Sequence, residues 1–356
     1  MVIQELQPPN FQQVNEFPYN TIFQQLSNII NNYHFIKFEG QKWLRSAMRK
    51  REPNTFYISP KIHKKKIGTR PITASHSYML SDISSAVANR LQYEVQKYPS
   101  IAKNTKSVLQ RLETTTLPQE CFLVTYDVER LYPSINLRQA IQIISENIVK
   151  NNSDHLWIKL LQLIMFNNYV KYSGKIYHQT TGTATGTQVA PQFANLYLHF
   201  LFEKIMNNDA ILFNSRYIDD GFMIIKTNQD AQHILNQINN ISNLNITYEI
   251  HPTSAIYLDL TIYKGLRFKY KNILDVTTYF KPTNKLLYLP YSSCHPDHMK
   301  LGIAKGEAIR LLRNNCHKNN WIKQCTIVFK GLMARGYPPY KIKSIWKTIR
   351  FEDRNK

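Results

Sequence analysis

The sequence predicts an α+β fold, on three observations. Apolar residues recur at helical spacing in several segments, most clearly over residues 137–148. Short runs rich in β-branched and aromatic residues occur at 121–128, 216–226 and 246–281, as is typical of strands. The helices and strands do not alternate regularly along the chain. Mixed helices and short strands without a regular βαβ order predict an α+β layout.

In the first half of the chain, residues 1–50 are expected to be mainly helical. Residues 52–75 predict a β-hairpin whose lysine-rich centre is bounded by turn-forming Pro60 and Gly68. A helix is predicted over 76–98, a strand over Cys121–Val128, and then a second helix. Asn136 and Gln139 have the spacing of a capping box at the start of that helix.

In the second half, a loop rich in Gly and Thr at 181–187 precedes a predicted helix over Pro191–Met206. The segment Arg216–Lys226 predicts two short strands around a turn at Asp-Asp-Gly. A helix is expected over 229–242, and strands over 246–250, 256–263 and 274–281. From about residue 296 the pattern is helical and basic.

The chain is strongly basic. Its 356 residues contain 45 Lys and Arg against 24 Asp and Glu, a formal net charge of +21. Such an imbalance destabilises a compact state unless a polyanion shares the surface, and nucleic acid is the commonest such partner. The charge by itself leaves two alternatives: a basic protein without a specific partner, and a protein bound to anionic membrane.

The four cysteines, at 121, 294, 316 and 325, do not have the spacing of a disulfide framework or a CxxC pair, and fit a reducing compartment. The N-terminal residues lack the features of a secretory signal, and no apolar run is long enough to span a membrane. The basic segments 61–66 and 341–350 fit either nuclear import or nucleic-acid contacts.

Three acids carry the strongest chemical signal. Asp127 ends an apolar strand, and Asp219 and Asp220 lie where two later strands meet. Clustered carboxylates repel one another unless divalent cations lie between them. Two Mg²⁺ ions about 4 Å apart can stabilise the attacking and leaving oxygens of a phosphoryl transfer. The acids therefore predict a two-metal site.

The competing interpretation of Asp219-Asp220-Gly221 is an ordinary hairpin turn, which the three residues alone would favour. Apolar flanks shift the balance, because they are expected to bury the hairpin and a buried pair of acids needs compensation. Successive strand side chains face opposite sides. Asp219, with Asp127, is therefore assigned to both ions, and Asp220 to a supporting role.

These motifs resemble those of reverse transcriptases. The segment 127–132 (DVERLY) resembles their first catalytic motif, and Arg216–Asp220 (RYIDD) resembles their Tyr-x-Asp-Asp box. Between them, 182–191 (GTATGTQVAP) followed by 193–197 (FANLY) resembles the template-positioning motif. Upstream, residues 56–63 and 70–72 resemble the fingers motifs. The motifs occur in the family's order and cover roughly residues 55–295.

The finer resemblance is to Penelope-like retroelement reverse transcriptases. It rests on 127–135 (DVERLYPSI), 190–198 (APQFANLYL), 257–264 (YLDLTIYK), 281–283 (KPT) and the region from Cys294 to Arg313. Thr185 departs from the Met of many relatives. Many members also append a GIY-YIG nuclease, which this sequence lacks. We therefore expect a nuclease-free member, a domesticated copy or a polymerase-only piece.

The resemblance implies a right-hand polymerase whose palm carries the acids on an antiparallel sheet. The expected domains are an N-terminal helical extension (1–50), fingers and palm (51–290) and a basic helical thumb (291–356). Metal ligands are expected from Asp127, Asp219 and Val128. The cofactor would be two Mg²⁺ ions, with Mn²⁺ as a substitute.

The resemblance also implies a set of nucleotide contacts. Arg70, helped by Lys61, would hold the triphosphate, since a guanidinium fork matches phosphate geometry. Tyr132 would exclude a ribose 2′-hydroxyl by steric rejection. Gln188 and Pro191 would shape the pocket for the templating base or incoming nucleotide, with Gly186 and Thr187 beside them. Core packing for Tyr132 and solvated surface positions for Arg70 and Lys61 are the alternatives.

Basic residues expected to contact nucleic acid lie in two regions, the fingers hairpin and the thumb: Lys64, Lys65 and Lys66; Lys281, Lys300, Lys305, Arg310 and Arg313. A solvated helix face is the alternative for the thumb residues. Cys294, His295, His298, Cys316 and His317 suggest zinc, but their spacing matches no common finger, so packing and polar contacts are preferred.

The function that follows is RNA-directed DNA synthesis, in which a primer 3′-hydroxyl attacks the α-phosphate of a deoxynucleotide. Expected partners are template RNA, a DNA primer or nicked target DNA, and dNTP, with no membrane. The expected location is nuclear, with a share in the cytoplasm. Lys264 and His251 are weak candidates for the proton donor to pyrophosphate. The alternatives are RNA-templated RNA synthesis or terminal transfer, and a non-catalytic RNA-binding scaffold.

Overall fold

The computed structural model describes residues 2–61, 68–241 and 244–354. The chain divides into two compact units. Unit 1 comprises Met1–Ile101, Asp127–Asn208 and Ile234–Thr247, and unit 2 comprises Ala102–Tyr126, Asp209–His233 and Tyr248–Lys356. Both units are therefore built from segments distant in sequence. The three predicted domains are a different division of the chain and stay a prediction.

A five-stranded sheet organises unit 1, in the order β1-β6-β5-β2-β3. Its strands are β1 (Phe11–Val14), β2 (Asn54–Lys61), β3 (Gly68–Ala74), β5 (Tyr169–Tyr172) and β6 (Lys175–Gln179). β2 and β3 form an antiparallel hairpin, which confirms the hairpin predicted over 52–75. β1 was not expected, because it pairs with β6 from a distant part of the chain.

Helices complete unit 1: α1 (Val2–Glu5), α2 (Tyr19–Asn31), α3 (Lys37–Arg49), α4 (Ser81–Val95), α6 (Leu131–Ser134), α7 (Leu137–Ile148), α8 (Asn152–Phe166) and α9 (Ala190–Met206). The predicted cap of α7 is half confirmed. The Asn136 side chain accepts from the Gln139 main-chain N–H, as expected. The Gln139 side-chain oxygen instead accepts from the Tyr197 hydroxyl at 2.9 Å, which ties α7 to α9.

Unit 2 carries most of a sheet with the order β7-β8-β4-β9 and a three-stranded sheet β10-β11-β12. The strands are β4 (Phe122–Val128), β7 (Ile211–Tyr217), β8 (Asp220–Ile225), β9 (Ile246–His251), β10 (Ser254–Tyr257), β11 (Leu260–Tyr263) and β12 (Asp275–Thr278). The strand predicted over 256–263 is in fact a hairpin, which turns at Leu258 and Asp259. The division between the units passes through β4, β9 and α10 (Asn228–Ile241).

The helices of unit 2 are α5 (Thr105–Thr114), α11 (Leu266–Lys271), α12 (Asp297–Asn314), α13 (Lys318–Ala334) and α14 (Pro339–Trp346). The last three match the helical region expected after residue 296. Asp259, in the β10–β11 turn, fixes α12 and α5 to the sheet. It accepts from Arg310 at 3.0 Å, Asn314 at 2.8 Å and Thr105 at 2.5 Å.

A buried ion network in unit 1 makes one stability prediction. Arg90 of α4 donates to Glu94 at 2.6 Å and to Asp154 of α8 at 2.8 Å. Burial by itself would raise the pKa of Asp154, but the bonds from Arg90 and from the Lys150 main chain hold the net pKa below its ordinary value. A carboxyl with a depressed folded-state pKa stabilises the fold above its unfolded-state pKa, and that contribution is lost as pH falls through the folded-state value.

We therefore expect Asp154→Asn to lower the free energy of unfolding by about 1–3 kcal/mol near neutral pH. The difference from wild type should be constant above pH ~5 and shrink below pH ~4, near the unfolded-state pKa. Urea unfolding from pH 7 to pH 3 measures it. Glu146→Gln, at an exposed acid of α7, is the matched control and should lower the free energy of unfolding much less at neutral pH. A difference that does not change with pH would contradict the assignment.

Candidate active site

The hairpin of β7 and β8 carries two of the three acids. Tyr217 pairs with Asp220, so the two turn residues are Ile218 and Asp219. This corrects the predicted turn at Asp-Asp-Gly, since Asp220 is the first residue of β8. Ile218 has a φ of 57°, a left-handed conformation that is unusual for a β-branched residue. Backbone strain of this kind costs on the order of 1–3 kcal/mol and is typical of functional sites.

Arg216 lies beneath this turn and supports it. The residue is 5% exposed, and its Nη1 donates to the main-chain oxygen of Ile218 at 2.8 Å. Burial lowers the pKa of the Arg216 guanidinium, and nearby Tyr126, Tyr257 and Asp219 act in the opposite direction. A buried cation thus holds the strained turn and places positive charge near the carboxylate of Asp219.

β8 and β4 approach each other closely next to the acids. Gly221 lies against the ring of Tyr126, and a Cβ at position 221 would lie well under 3.0 Å from three ring atoms. Tyr126 is buried, which raises the pKa of its hydroxyl to about 12. Asp127 follows Tyr126 directly, and Asp220 precedes Gly221. The covalent neighbours of two acids are therefore in contact within unit 2.

The three acids are exposed, whereas the strands around them are buried. Asp127, Asp219 and Asp220 lie at the surface, and β8 is buried from Gly221 to Ile225. The expectation that the hairpin buries the acids was wrong, because burial of β8 begins only at Gly221, after both Asp219 and Asp220. Val128 has a side chain only 1% exposed, so any contact of Val128 with a metal ion has to use its main-chain oxygen.

In unit 1, the loop rich in Gly and Thr fits between α6 and β3. Gly182 has a φ of 69°, and a Cβ there would overlap the backbone of Pro133. Gly186 has a φ of 115°, and a Cβ there would overlap the main-chain oxygen of Thr73. Thr73 also donates its N–H to the Thr185 carbonyl at 2.8 Å. Glycine is required at both positions because backbone meets backbone.

Several residues predicted to contact the nucleotide lie on or next to this loop in unit 1. Tyr132 is half-buried in α6, and its carbonyl accepts from the Thr183 N–H at 2.8 Å. Gln188 follows the loop, and its Oε1 is buried without a donor among the described residues. Such an orphaned acceptor is costly unless a ligand or water satisfies it. Pro191 occupies the first turn of α9, where its fixed φ suits a helix start.

The predicted fingers contacts lie on the β2–β3 hairpin. Arg70 is exposed on β3, opposite Ser59, and it forms no ion pair with a described residue. Lys61 is the last residue of β2. Lys64, Lys65 and Lys66 lie outside the described residues. The roles of these five residues stay predictions.

The predicted thumb contacts differ in their surroundings. Lys281 and Lys305 are exposed, and Arg313 is half-buried. Lys300 is 7% exposed, and its ammonium donates to the carbonyls of Tyr291 and Ser293. Arg310 bridges Asp259 and Glu307. A phosphate contact by Lys300 or Arg310 would therefore have to replace existing bonds, whereas Lys281 and Lys305 can bind a phosphate without that cost.

Cys316 and His317, two of the five residues that suggested zinc, lie next to a carboxylate that the sequence analysis did not single out. Asp275 of β12 lies beside Cys316 and His317, whose ring nitrogen bonds to the Asp275 carboxylate. The other carboxylate oxygen accepts from the main-chain N–H groups of Arg267 and Phe268. The buried carboxylate is satisfied by protein donors, so the cluster fits the polar packing that was preferred. Cys294 is exposed and is not part of this cluster.

The weak candidates for a proton donor have protein partners. Lys264 donates to the Cys121 carbonyl at 2.6 Å, and the His251 ring lies 3.3 Å from a Glu249 carboxylate oxygen.

Among the described helices, none is both long and apolar enough to cross a membrane.

Comparison with known families finds two matches. The family described as "Reverse transcriptase (RNA-dependent DNA polymerase)" matches residues 62–252, more than half of the chain. The family described as "Animal helix-turn-helix domain" matches residues 287–347, which contain α12, α13 and α14. A search of curated proteins finds no match.

Solved structures similar to this chain include telomerase from Candida albicans in complex with a telomeric RNA fragment. That structure gives a TM-score of 0.58 at 9% identity, covering 86% of this chain and 58% of the telomerase chain. The RNA-dependent RNA polymerase of a human picobirnavirus gives a TM-score of 0.59 at 13% identity, covering 84% of this chain and 60% of the polymerase. This chain thus spans about three fifths of each relative's length.

At such low identity these likenesses concern the fold alone. They confirm the fold class predicted from the sequence, a right-hand polymerase of mixed helices and strands with an antiparallel sheet. The β7-β8-β4-β9 sheet carries Asp127 on β4 and Asp220 on β8, with Asp219 in the turn between β7 and β8.

Proposed function

Because the chain belongs to the reverse transcriptase family, a family of polymerases that transfer nucleotides, we propose that it is an RNA-directed DNA polymerase of a Penelope-like retroelement. In this proposal the protein transfers a deoxynucleotide from dNTP to a primer 3′-hydroxyl, and the partners are template RNA and a DNA primer or nicked target DNA. Nuclear action on chromosomal DNA, with a share of the protein in the cytoplasm, is part of the same proposal.

The β7–β8 hairpin is the observation that carries this proposal. The buried Arg216 holds the turn that carries the exposed Asp219 by donating to the Ile218 main-chain oxygen. The exposed Asp220 follows that turn and precedes Gly221, which lies against Tyr126. The net charge of +21 suits the chain to binding a polyanion, but these exposed carboxylates would repel its phosphates. Their presence is accounted for if cations lie between them and phosphate.

The donor set fits Mg²⁺, which prefers a few carboxylate oxygens completed by water and phosphate oxygens. Bound Mg²⁺ would supply Lewis-acid stabilisation of the attacking and leaving oxygens, and Mn²⁺ can take its place. In the proposal Asp127 and Asp219 hold both ions, the main-chain oxygen of Val128 assists, and Asp220 supports the arrangement. Arg216 keeps the Asp219 turn in its strained conformation, so less reorganisation is needed during the reaction.

Residues of unit 1 would select and orient the nucleotide. Gly182 and Gly186 let the loop lie directly against Pro133 and Thr73, which fixes Tyr132 of α6 beside it. Gln188 would contact the nucleotide or template base, and this contact would give a donor to its Oε1, which is buried without one among the described residues. Arg70 would bind the triphosphate with its guanidinium fork, with Lys61 assisting. In this proposal, these residues form a pocket that selects the incoming nucleotide by its shape.

The direct test is primer extension by purified protein with Mg²⁺ on an RNA template, with dNTPs and NTPs supplied in parallel. Templated DNA synthesis supports the proposal. Extension only with NTPs would favour an RNA-templated RNA polymerase, and untemplated addition would favour a terminal transferase. Nucleic-acid binding without extension under any nucleotide or metal would favour the scaffold alternative.

Tyr132 makes a separate prediction about sugar selection. We expect Tyr132→Ala to increase the use of ribonucleotides relative to deoxynucleotides by roughly 10- to 100-fold, because removing a side chain that rejects the 2′-hydroxyl removes a steric penalty. The measurement is kcat/KM for each sugar type on one RNA template. Tyr132→Phe keeps the ring and should retain the discrimination. An unchanged ratio in Tyr132→Ala would place Tyr132 in packing instead.

A further inference from the structure

Helix α3 in unit 1 presents an outer face that combines cations with an exposed aromatic ring. Its inner face is buried through Gly40, Leu44 and Ala47. On the outer face, Phe38, Lys42, Arg45 and Arg49 follow one another at i, i+4, i+7 and i+11 and are exposed. Residues at this spacing share one side of a helix. We call these four residues the α3 stripe.

The aromatic part of this surface is unusually open to solvent. Phe38 is 68% exposed and Phe35, just before the helix, is 59% exposed. The Lys42 ammonium lies 4.3 Å from the centroid of the Phe38 ring. Phe35 makes an edge contact with Tyr33, and Lys159 of α8 lies over the Tyr33 ring. Open rings with cations beside them are the combination on which unpaired bases stack.

The cations of the stripe are available to a ligand. Across the described part of the chain, no ion pair forms with Lys42, Arg45 or Arg49. Glu39 is the acid of α3, against four basic residues in the helix. The stripe extends about 16 Å along the helix axis, at 1.5 Å per residue. Its three cations, from Lys42 to Arg49, span about 10 Å of that length, and a row of unpaired positive charge of this size matches a short run of phosphates.

We propose that the α3 stripe, with Phe35, binds single-stranded nucleic acid, outside the catalytic hairpin and the nucleotide pocket. The bases would stack on Phe38 and Phe35, and the phosphates would contact Lys42, Arg45 and Arg49. A duplex fits less well, because its bases are already stacked and paired. A membrane fits less well, because a helix lying in a bilayer surface needs a broad exposed apolar face, and the apolar face of α3 is buried.

The proposal extends the proposed function without requiring catalysis, so its test uses binding without nucleotides. The full chain is titrated against fluorescent single-stranded RNA and DNA of about 30 nucleotides by anisotropy, at several salt concentrations. We expect Phe38→Ala to weaken binding roughly 5-fold or more. Lys42→Glu with Arg45→Glu should weaken it by at least 10-fold and reduce the salt slope by about 1.4, at about 0.7 per phosphate contact.

A matched control makes the same charge change elsewhere in unit 1. Lys150 and Lys204 are exposed, and Lys150→Glu with Lys204→Glu should change binding much less than the stripe variant does. Equal losses in both variants would mean that net charge alone matters, and would overturn the proposal. The proposal would also be overturned if the stripe variant lost affinity for duplex as much as for single strands. It would be overturned as well if the stripe were needed for binding vesicles of phosphatidylcholine and phosphatidylserine but not for binding RNA or DNA.

Comparing the RNA and DNA arms identifies which strand the stripe prefers, and a stripe-dependent loss in either arm supports the proposal. Primer extension measured in parallel separates the two proposals. If the stripe variants lose binding and the wild-type protein does not extend primers, the binding role of the α3 stripe is supported and the proposed polymerase function is not. Extension with unaltered binding in the stripe variants would support the polymerase and overturn the stripe.

Discussion

Asp127→Ala and Asp219→Ala are each expected to reduce primer extension by at least ~10³-fold while leaving nucleic-acid binding within a few-fold of wild type. Both carboxylates are assigned to the same two ions, so losing either should disable the metal site as a unit. Both side chains are exposed, so their removal should cost little stability. The measurements are single-turnover extension with saturating dNTP and anisotropy with the same primer–template.

Two comparisons make this prediction specific. Glu203→Ala removes an exposed acid of α9 and should leave extension unchanged, which controls for the change in net charge. Asp220→Ala should reduce extension less than Asp219→Ala, because the proposal assigns Asp219 to both ions and gives Asp220 only a supporting role. If either principal variant extended primers as fast as wild type, the two-metal assignment would be untenable.

Gly221→Ala is expected to abolish extension and to lower the free energy of unfolding by about 3 kcal/mol or more. The added methyl would overlap the ring of Tyr126, which is buried and cannot rotate away at low cost. Relief would require β8 to move away from β4, and that would displace the acids next to Gly221 and Tyr126. Thermal or urea unfolding and the extension assay together measure both effects.

The chain offers a matched control for the glycine substitution. Gly302 lies within α12, and a Cβ at that position would meet no neighbouring atom. Gly302→Ala should be neutral or stabilise the protein by up to ~1 kcal/mol, since alanine favours a helix over glycine. Near-normal stability and activity in Gly221→Ala would show that β4 and β8 are not constrained at this point.

Local sequence patterns predicted the elements whose signals lie within one segment. The buried positions of α7 are those given by its apolar spacing, Leu137, Ala140, Ile141, Ile144 and Ile148. The β2–β3 hairpin, β4 and α9 were likewise confirmed close to their predicted bounds. α5 was missed although its signal was present. Asn104 and Ser107 form a reciprocal cap at its start, and this spacing could have identified the helix.

Elements defined by distant partners could not be predicted in this way. β1 has four residues, of sequence FQQV, with no alternating pattern, and it is a strand because it pairs with β6. The exposed stripe of α3 is also invisible locally, because the side of a helix that faces solvent depends on what packs against the other side. Gly40 shows this directly, since it lies against Ile30 of α2.

For the candidate site, the sequence by itself determined which residues are predicted to carry the chemistry: Asp127 at the end of a β-rich run, the Asp219-Asp220 pair, and the Gly and Thr loop between them. Residue type and order along the chain are enough for this, because metal ligands and backbone approach require particular side chains. The tertiary structure alone decided that Ile218 and Asp219 form the turn, that Arg216 is buried beneath it, and that Gly221 must lack a side chain because Tyr126 lies against it. Strand register and close packing arise between segments far apart in the chain, so no local pattern encodes them.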